Sequence, residues 1–126
     1  MSLRTPLGHV RGLGSAKSGT EHFVRQRLTA IANIPLVIAF VVILISLLGR
    51  NHAAVVQILG SPVVAIVMLL FIFSITYHMR IGMQVIIEDY VHDEGLRIAC
   101  LVANTFFTIA VGLTCVYAIL KLSFGV

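Results

Sequence analysis

Pro62-Val-Val-Ala-Ile-Val-Met-Leu-Leu-Phe-Ile-Phe-Ser-Ile-Thr-Tyr-His78-Met-Arg80 carries no charged residue before its closing arginine. A run this long and this apolar reads as a membrane-crossing helix, because about 20 helical residues cover the ~30 Å hydrocarbon layer of a bilayer. Ser61-Pro62 ahead of it fits an N-cap followed by a proline at the first helical position, where no backbone N–H is missed. Past Arg80 the pattern Ile-Gly-Met-Gln-Val-Ile-Ile-Glu88 continues the helix. From Pro62 to Glu88 such a helix would be about 40 Å long, so its end must leave the apolar layer or tilt.

Two further spans follow on either side. The first runs from about Leu28 to Leu48, with Asn33 and Pro35 in its first third, and Gly49-Arg50-Asn51-His52 ends it. Ser18-Gly-Thr-Glu21 fits a capping box, which places the start of that helix near Gly19. The third opens at Arg97 after the polar turn His92-Asp-Glu-Gly95 and ends near Leu120. Asn104, Thr108 and Gly112 recur along it every four residues, a small and polar stripe that reads as a helix-packing face. Residues 53–60 are apolar but too short to span, and read as a loop or an extension of the next helix. Residues 1–17, rich in Gly, Ser and Arg, read as a flexible cytoplasmic tail. Residues 18–126 form the membrane domain, with spans at about 28–48, 62–88 and 97–120. The expected fold is therefore an all-α membrane protein of three transmembrane helices, taking its place in a multi-chain helical bundle.

Composition agrees. The chain is 59% hydrophobic over 126 residues with a mean hydropathy of +1.04. Its charged fraction is 11%, against the ~25% of soluble domains. The net charge of +4 is no nucleic-acid signal, because Arg4, Arg11, Lys17, Arg25 and Arg27 all precede the first span. Basic residues flanking a first span mark the cytoplasmic side. With the N-terminus inside, the 81–97 connection is also inside and only Arg50 and Lys121 of the nine Lys and Arg lie outside. A bacterial inner membrane is the expected location. An acid-poor leader bearing arginines also suits an organelle transit peptide, which leaves the mitochondrial inner membrane as an alternative. Cys100 and Cys115 fall on one helix about 22 Å apart, too far for a disulfide, and read as small apolar side chains.

Ionisable groups at membrane depth are costly and mark functional sites. His78 is such a group, a candidate haem axial ligand held in apolar surroundings, or else a histidine bonded to a neighbouring helix. It is the one histidine in mid-span, so a second axial imidazole would have to come from another chain. Asp89 lies eleven residues on, about 1100° round the helix and about 16 Å along it, on the same face as His78. Tyr90 follows. A phenol can donate to a quinone carbonyl and a carboxylate at a wet edge can relay protons; the plainer reading is a solvated helix end. Arg27 is either an orienting cation near that acid or a positive-inside flank. Arg80 sits about 200° from His78 and is expected to snorkel to the surface. His9, His22, His52 and His92 read as interfacial or loop residues, His92 being the best proton-relay candidate among them.

Two segments resemble the small hydrophobic membrane-anchor subunits of succinate dehydrogenases (succinate:quinone oxidoreductases). Ser18-Gly-Thr-Glu-His-Phe-Val-Arg-Gln-Arg-Leu-Thr-Ala-Ile-Ala32 is similar to that family's entry into its first span. His78, Gly82 and Met83 followed by Asp89-Tyr90 resemble its haem and quinone signature. The resemblance implies that His78 is an axial ligand of haem b, that Tyr90 and Asp89 sit at the ubiquinone site with the tyrosine bonded to the quinone, and that Arg27 lies beside it. It further implies a second anchor subunit sharing the haem, an iron–sulfur subunit and a flavoprotein carrying FAD. This chain would tether that soluble pair and carry no flavin chemistry itself. The alternatives are a small proton- or ion-conducting or assembly membrane protein, and the anchor of a quinol:fumarate reductase, whose reaction runs the opposite way.

Overall fold

A computed structural model describes residues 5–11 and 16–125 of the chain. Every regular element in it is a helix: α1 (Pro6–Arg11), α2 (Ala16–Leu47), α3 (His52–Gly60), α4 (Pro62–Tyr90) and α5 (Glu94–Phe124). Three of these, over Thr20–Leu47, Pro62–Tyr90 and Glu94–Phe124, are long and apolar enough to cross a membrane. The three expected spans are therefore present, each longer than its apolar core because the helices run on into their polar ends.

The breaks between helices follow from local chemistry. Gly49 closes α2 in the left-handed region at φ 73°, with Leu48 N–H and Arg50 N–H bonded back to Ile45 and Leu47 carbonyls at 3.2 Å each. Such a turn is open to glycine because it lacks a Cβ. Asn51 then starts α3, its Oδ1 accepting from Ala54 N–H at 2.9 Å. At the other end of the chain, Asp93 Oδ1 accepts from Leu96 N–H at 2.8 Å and starts α5 at Glu94, three residues before the expected opening at Arg97.

Four sequence expectations need correction. Residues 53–60 form a separate helix, because Ser61 is extended and Pro62 has no N–H with which to join the two. Ser61 holds the N-cap position of α4, yet its hydroxyl donates backwards to Ile58 O at 2.8 Å and caps nothing in α4. The helix α2 is already formed at Ala16, so Ser18 lies inside it and is no N-cap. Part of the segment 1–17 is helical, in α1 and at the start of α2; residues 1–4 and 12–15 lie outside the described residues.

Among the described residues α4 is the central helix. It packs against α2 on one face and α5 on another, α3 leans chiefly on α5, and the backbones of α2 and α5 stay apart. The α4/α5 seam holds Ala65, Ile72 and Ile119, with Met68, Leu69, Cys115 and Val116 around them. The small and polar stripe of α5 faces α4 as expected. Thr108 is buried, Asn104 Nδ2–H donates to the Arg80 carbonyl at 3.1 Å, and a Cβ on Gly112 would meet the Thr76 side chain at 3.7 Å. At the far end Gly60 touches the α5 backbone so closely that a Cβ there would lie 2.7 Å from Leu122 O. Large apolar side chains such as Ile38, Val42, Phe73, Phe106 and Leu113 are exposed along all three spans. In a bilayer, acyl chains or partner helices cover such surface, and no aqueous penalty applies.

Candidate functional site

The polar groups collect along the seam between α2 and α4. His78, half-buried, places Nδ1 2.9 Å from the Thr29 hydroxyl. Thr29 Oγ1 also lies 2.9 Å from Arg25 O and 3.0 Å from Gln26 O, one turn back on its own helix. Toward the N-terminal end of α2, Gln26 Nε2 lies 3.5 Å from the position a Cβ of Gly82 would take. Gln26 and His78 thus bracket one antiparallel contact, in which residue numbers on the two helices sum to about 108. Gln26 Oε1, Asn33 Oδ1 and Ser74 Oγ are buried without a hydrogen-bond partner among the described residues. Asn33 stands two turns beyond Gln26 on α2, and Ser74 one turn before His78 on α4. Buried polar atoms without partners are rare, and here they share a face with the one mid-span imidazole.

Below His78 an open pocket of about 410 Å³ is lined by His22, Phe23, Gln26, Gly82, Val85 and Glu88. His22 is therefore a helical residue near the start of α2 that faces this seam. Glu88 accepts from Gln84 Nε2–H at 2.9 Å within α4.

Asp89 and Tyr90 are exposed at the C-terminal end of α4, and neither is bonded to a described residue. The Tyr90 ring is 78% exposed. Arg27 is exposed as well, its guanidinium 4.8 Å from the Phe23 ring centroid. It is turned about 100° from Gln26, hence off the face that meets α4, and no contact joins it to Asp89 or Tyr90. Arg25 pairs with Glu21 on the outer side of the same helix. The structure thus brings His78 to Thr29, leaves Asp89 and Tyr90 at the end of α4, and sets Arg27 well inside α2, level with about Ile81 and roughly 12 Å along the seam from Asp89. Arg80 lines the α4/α5 groove with Thr76 and Thr108, away from His78 as its angle required. His92 is exposed in the short connection between α4 and α5, and His52 is exposed at the start of α3. Among the described residues no three His, Cys, Asp or Glu side chains converge on a metal-ion site.

Sequence reading overlooked Gln26, Thr29 and Glu88. The signal was available in the first two, since Gln26, Thr29 and Asn33 recur at helical spacing, the last two in the apolar run that follows Arg27. The role of Glu88 had no signal beyond its charge at a helix end.

Three long apolar helices with a polar seam around one histidine define a multi-pass, all-α membrane protein. The chain matches the family described as succinate dehydrogenase/fumarate reductase transmembrane subunit over residues 1–112, and it belongs to that family. It is 33% identical to a succinate dehydrogenase hydrophobic membrane anchor subunit of Rickettsia bellii over 108 residues, 84% of this chain and 85% of that one. The corresponding subunit of Paracoccus denitrificans is 29% identical over 96% of this chain and 93% of its own. A succinate dehydrogenase membrane anchor subunit of Reclinomonas americana is 35% identical over 65% of this chain and 71% of its own. No solved structure gives a significant match. The chain is thus a membrane anchor of the succinate dehydrogenase type, an oxidoreductase subunit that works with partner chains.

Proposed function

We propose that this chain anchors a succinate:ubiquinone oxidoreductase in a bacterial inner membrane, contributes an axial imidazole to haem b, and lines part of the ubiquinone site. The observation that carries the reading is the His78–Thr29 contact. It holds an imidazole half-buried in a span through Nδ1 and leaves Nε2 for another partner, which is the state a metal-ligating histidine needs. The donor set fits haem rather than a bare ion, since one neutral imidazole per chain is what an axial position takes. Haem b supplies a one-electron redox centre when bound. The second imidazole belongs to the second anchor subunit, and the exposed apolar faces of α2, α4 and α5 are suited to packing against it.

Tyr90 and Asp89 act at the inner end of α4. Reduction of a quinone to a quinol takes two electrons and two protons; FAD and iron–sulfur clusters on the partner subunits would supply the electrons from succinate, and this chain's residues would supply hydrogen bonds and protons. The Tyr90 O–H is without an internal partner and donates to a quinone carbonyl oxygen. Asp89, in contact with water, relays protons to the same oxygens. Arg27 sits on the other helix, level with about Ile81 and roughly 12 Å from the level of Asp89; its long guanidinium-bearing side chain would orient quinone oxygens by leaving Phe23 and reaching toward the end of α4. An N-terminus inside, by the distribution of basic residues, puts the end of α4, with Tyr90 and Asp89, on the cytoplasmic face, where the flavoprotein and iron–sulfur subunits would dock.

The test is a visible spectrum of the purified complex carrying His78→Ala. Loss or weakening of the b-type haem band, with flavin content and membrane insertion unchanged, is the expected result. An unchanged bis-imidazole spectrum removes His78 from the haem, and a colourless homo-oligomer from the unaltered chain points instead to a proton- or ion-conducting protein.

A further inference from the structure

We infer that Thr29 is a positioning residue for His78, accepting a hydrogen bond from Nδ1–H and so fixing the tautomer whose Nε2 lone pair is free. The inference rests on the reading that His78 is an axial ligand, and it deepens that reading by naming the group on this chain that prepares the imidazole.

The number of protons available decides the direction of the bond. The Thr29 hydroxyl has one proton and two lone pairs. Three atoms lie within reach of it: Arg25 O at 2.9 Å, Gln26 O at 3.0 Å and His78 Nδ1 at 2.9 Å. The two carbonyl oxygens can only accept. If the hydroxyl donates to them, the contact with Nδ1 must run the other way, with Nδ1–H donating and Thr29 Oγ1 accepting. The one hydroxyl proton is then shared between the two carbonyls in a three-centre bond, the ring proton fills the third contact, and none is left without a proton. If the hydroxyl donates to Nδ1 instead, both carbonyl contacts lose their proton. The ring proton then sits on Nε2, where no described residue accepts it. In an apolar span an N–H without an acceptor is penalised, so the first arrangement prevails. A threonine in a helix commonly donates to the carbonyl four residues back, which is the bond this arrangement uses.

The same bond has two consequences. It restrains the ring about its Cβ–Cγ bond, so Nε2 keeps one direction relative to α4. It also makes the imidazole a stronger donor, as acceptors on the far nitrogen of a ligating histidine do. A stronger axial donor favours the ferric state, so removing the acceptor should raise the haem midpoint potential.

The experiment uses the assembled complex purified with Thr29→Val, Thr29→Ser or His78→Ala. Flavin content serves as the check on assembly, and the haem is read by redox titration and by the electron paramagnetic resonance of its ferric low-spin form. Valine keeps the shape of threonine and lacks the hydroxyl; serine keeps the hydroxyl and lacks the methyl. The expected result is a higher midpoint potential, altered g-values and haem retention weakened by roughly 10–100-fold in Thr29→Val, with Thr29→Ser close to the unaltered complex. Normal potential, g-values and haem retention in Thr29→Val would overturn the inference while leaving His78 as a ligand. Equal defects in the valine and serine variants would overturn it too, since they would trace to packing and not to the hydroxyl. If His78→Ala itself keeps an unchanged haem signal, the underlying assignment of the ligand fails instead.

Discussion

Tyr90→Phe separates the proposed quinone role from folding, because the exposure of the residue sets the cost to stability and the loss of one donor sets the cost to the reaction. The ring is 78% exposed at the end of α4, and phenylalanine keeps that ring. Its hydroxyl meets no described residue, so removing it breaks no internal hydrogen bond and leaves no buried group unsatisfied. The cost to folding is therefore near zero, within the ~0.5 kcal/mol scatter of surface substitutions. The cost to quinone reduction is much larger. A donor aimed at an oxygen that gains negative charge in the transition state is worth about 2.7–4 kcal/mol, or roughly 10²–10³ in rate. In the proposed site Tyr90 would donate from an exposed edge where water partly substitutes for it, which sets the expectation at the lower end, roughly 10²-fold. The assay compares two acceptors in the same membranes. Succinate oxidation with a soluble dye, which draws electrons before the quinone, should stay normal, and ubiquinone reduction should fall by that factor with haem content unchanged. Equal losses with both acceptors would mean misassembly, and undiminished ubiquinone reduction would refute the role of Tyr90.

Arg27→Ala should leave the orientation of the spans unchanged, because with the N-terminus inside six other basic residues would remain on that side, and its stacking on Phe23 is an exposed contact worth only about 0.5–1 kcal/mol. Ubiquinone reduction should nevertheless fall; inverted topology in a protease-protection assay, with normal turnover in the correctly inserted fraction, would make Arg27 a topological flank alone. Gly60→Val should loosen the α3/α5 contact, since a Cβ 2.7 Å from the Leu122 carbonyl meets backbone that cannot rotate away. Overpacking of this kind costs about 1–3 kcal/mol; it should appear as a lowered unfolding midpoint in detergent, with the haem spectrum, read from a site far along α4, unaltered. An unfolding midpoint equal to that of the unaltered chain would show that α3 does not hold this position against α5.

The amino-acid sequence by itself determined the three spans, the break at Gly49-Arg50-Asn51 and the α5 packing stripe, because each depends on interactions within a few residues. A run of apolar side chains must be helical in a bilayer to satisfy its own backbone, and a glycine or an asparagine cap acts on its immediate neighbours. Small and polar residues four apart in a lipid-facing sequence likewise mark a face where backbones approach. Membership of the succinate dehydrogenase anchor family was legible for the same reason, in two short segments whose spacing survives without knowledge of any contact. Tertiary structure alone decided that His78 meets Thr29, forty-nine residues away, that Gln26 closes on Gly82, that residues 53–60 fold as their own helix against α5, and that Arg27 is turned off the face toward α4. In water a helix announces its inner face by an apolar stripe. In a bilayer the outer face is apolar too, so the rotation of each helix about its axis leaves little trace in the sequence, and it is that rotation which brings an imidazole on one helix to a hydroxyl on another.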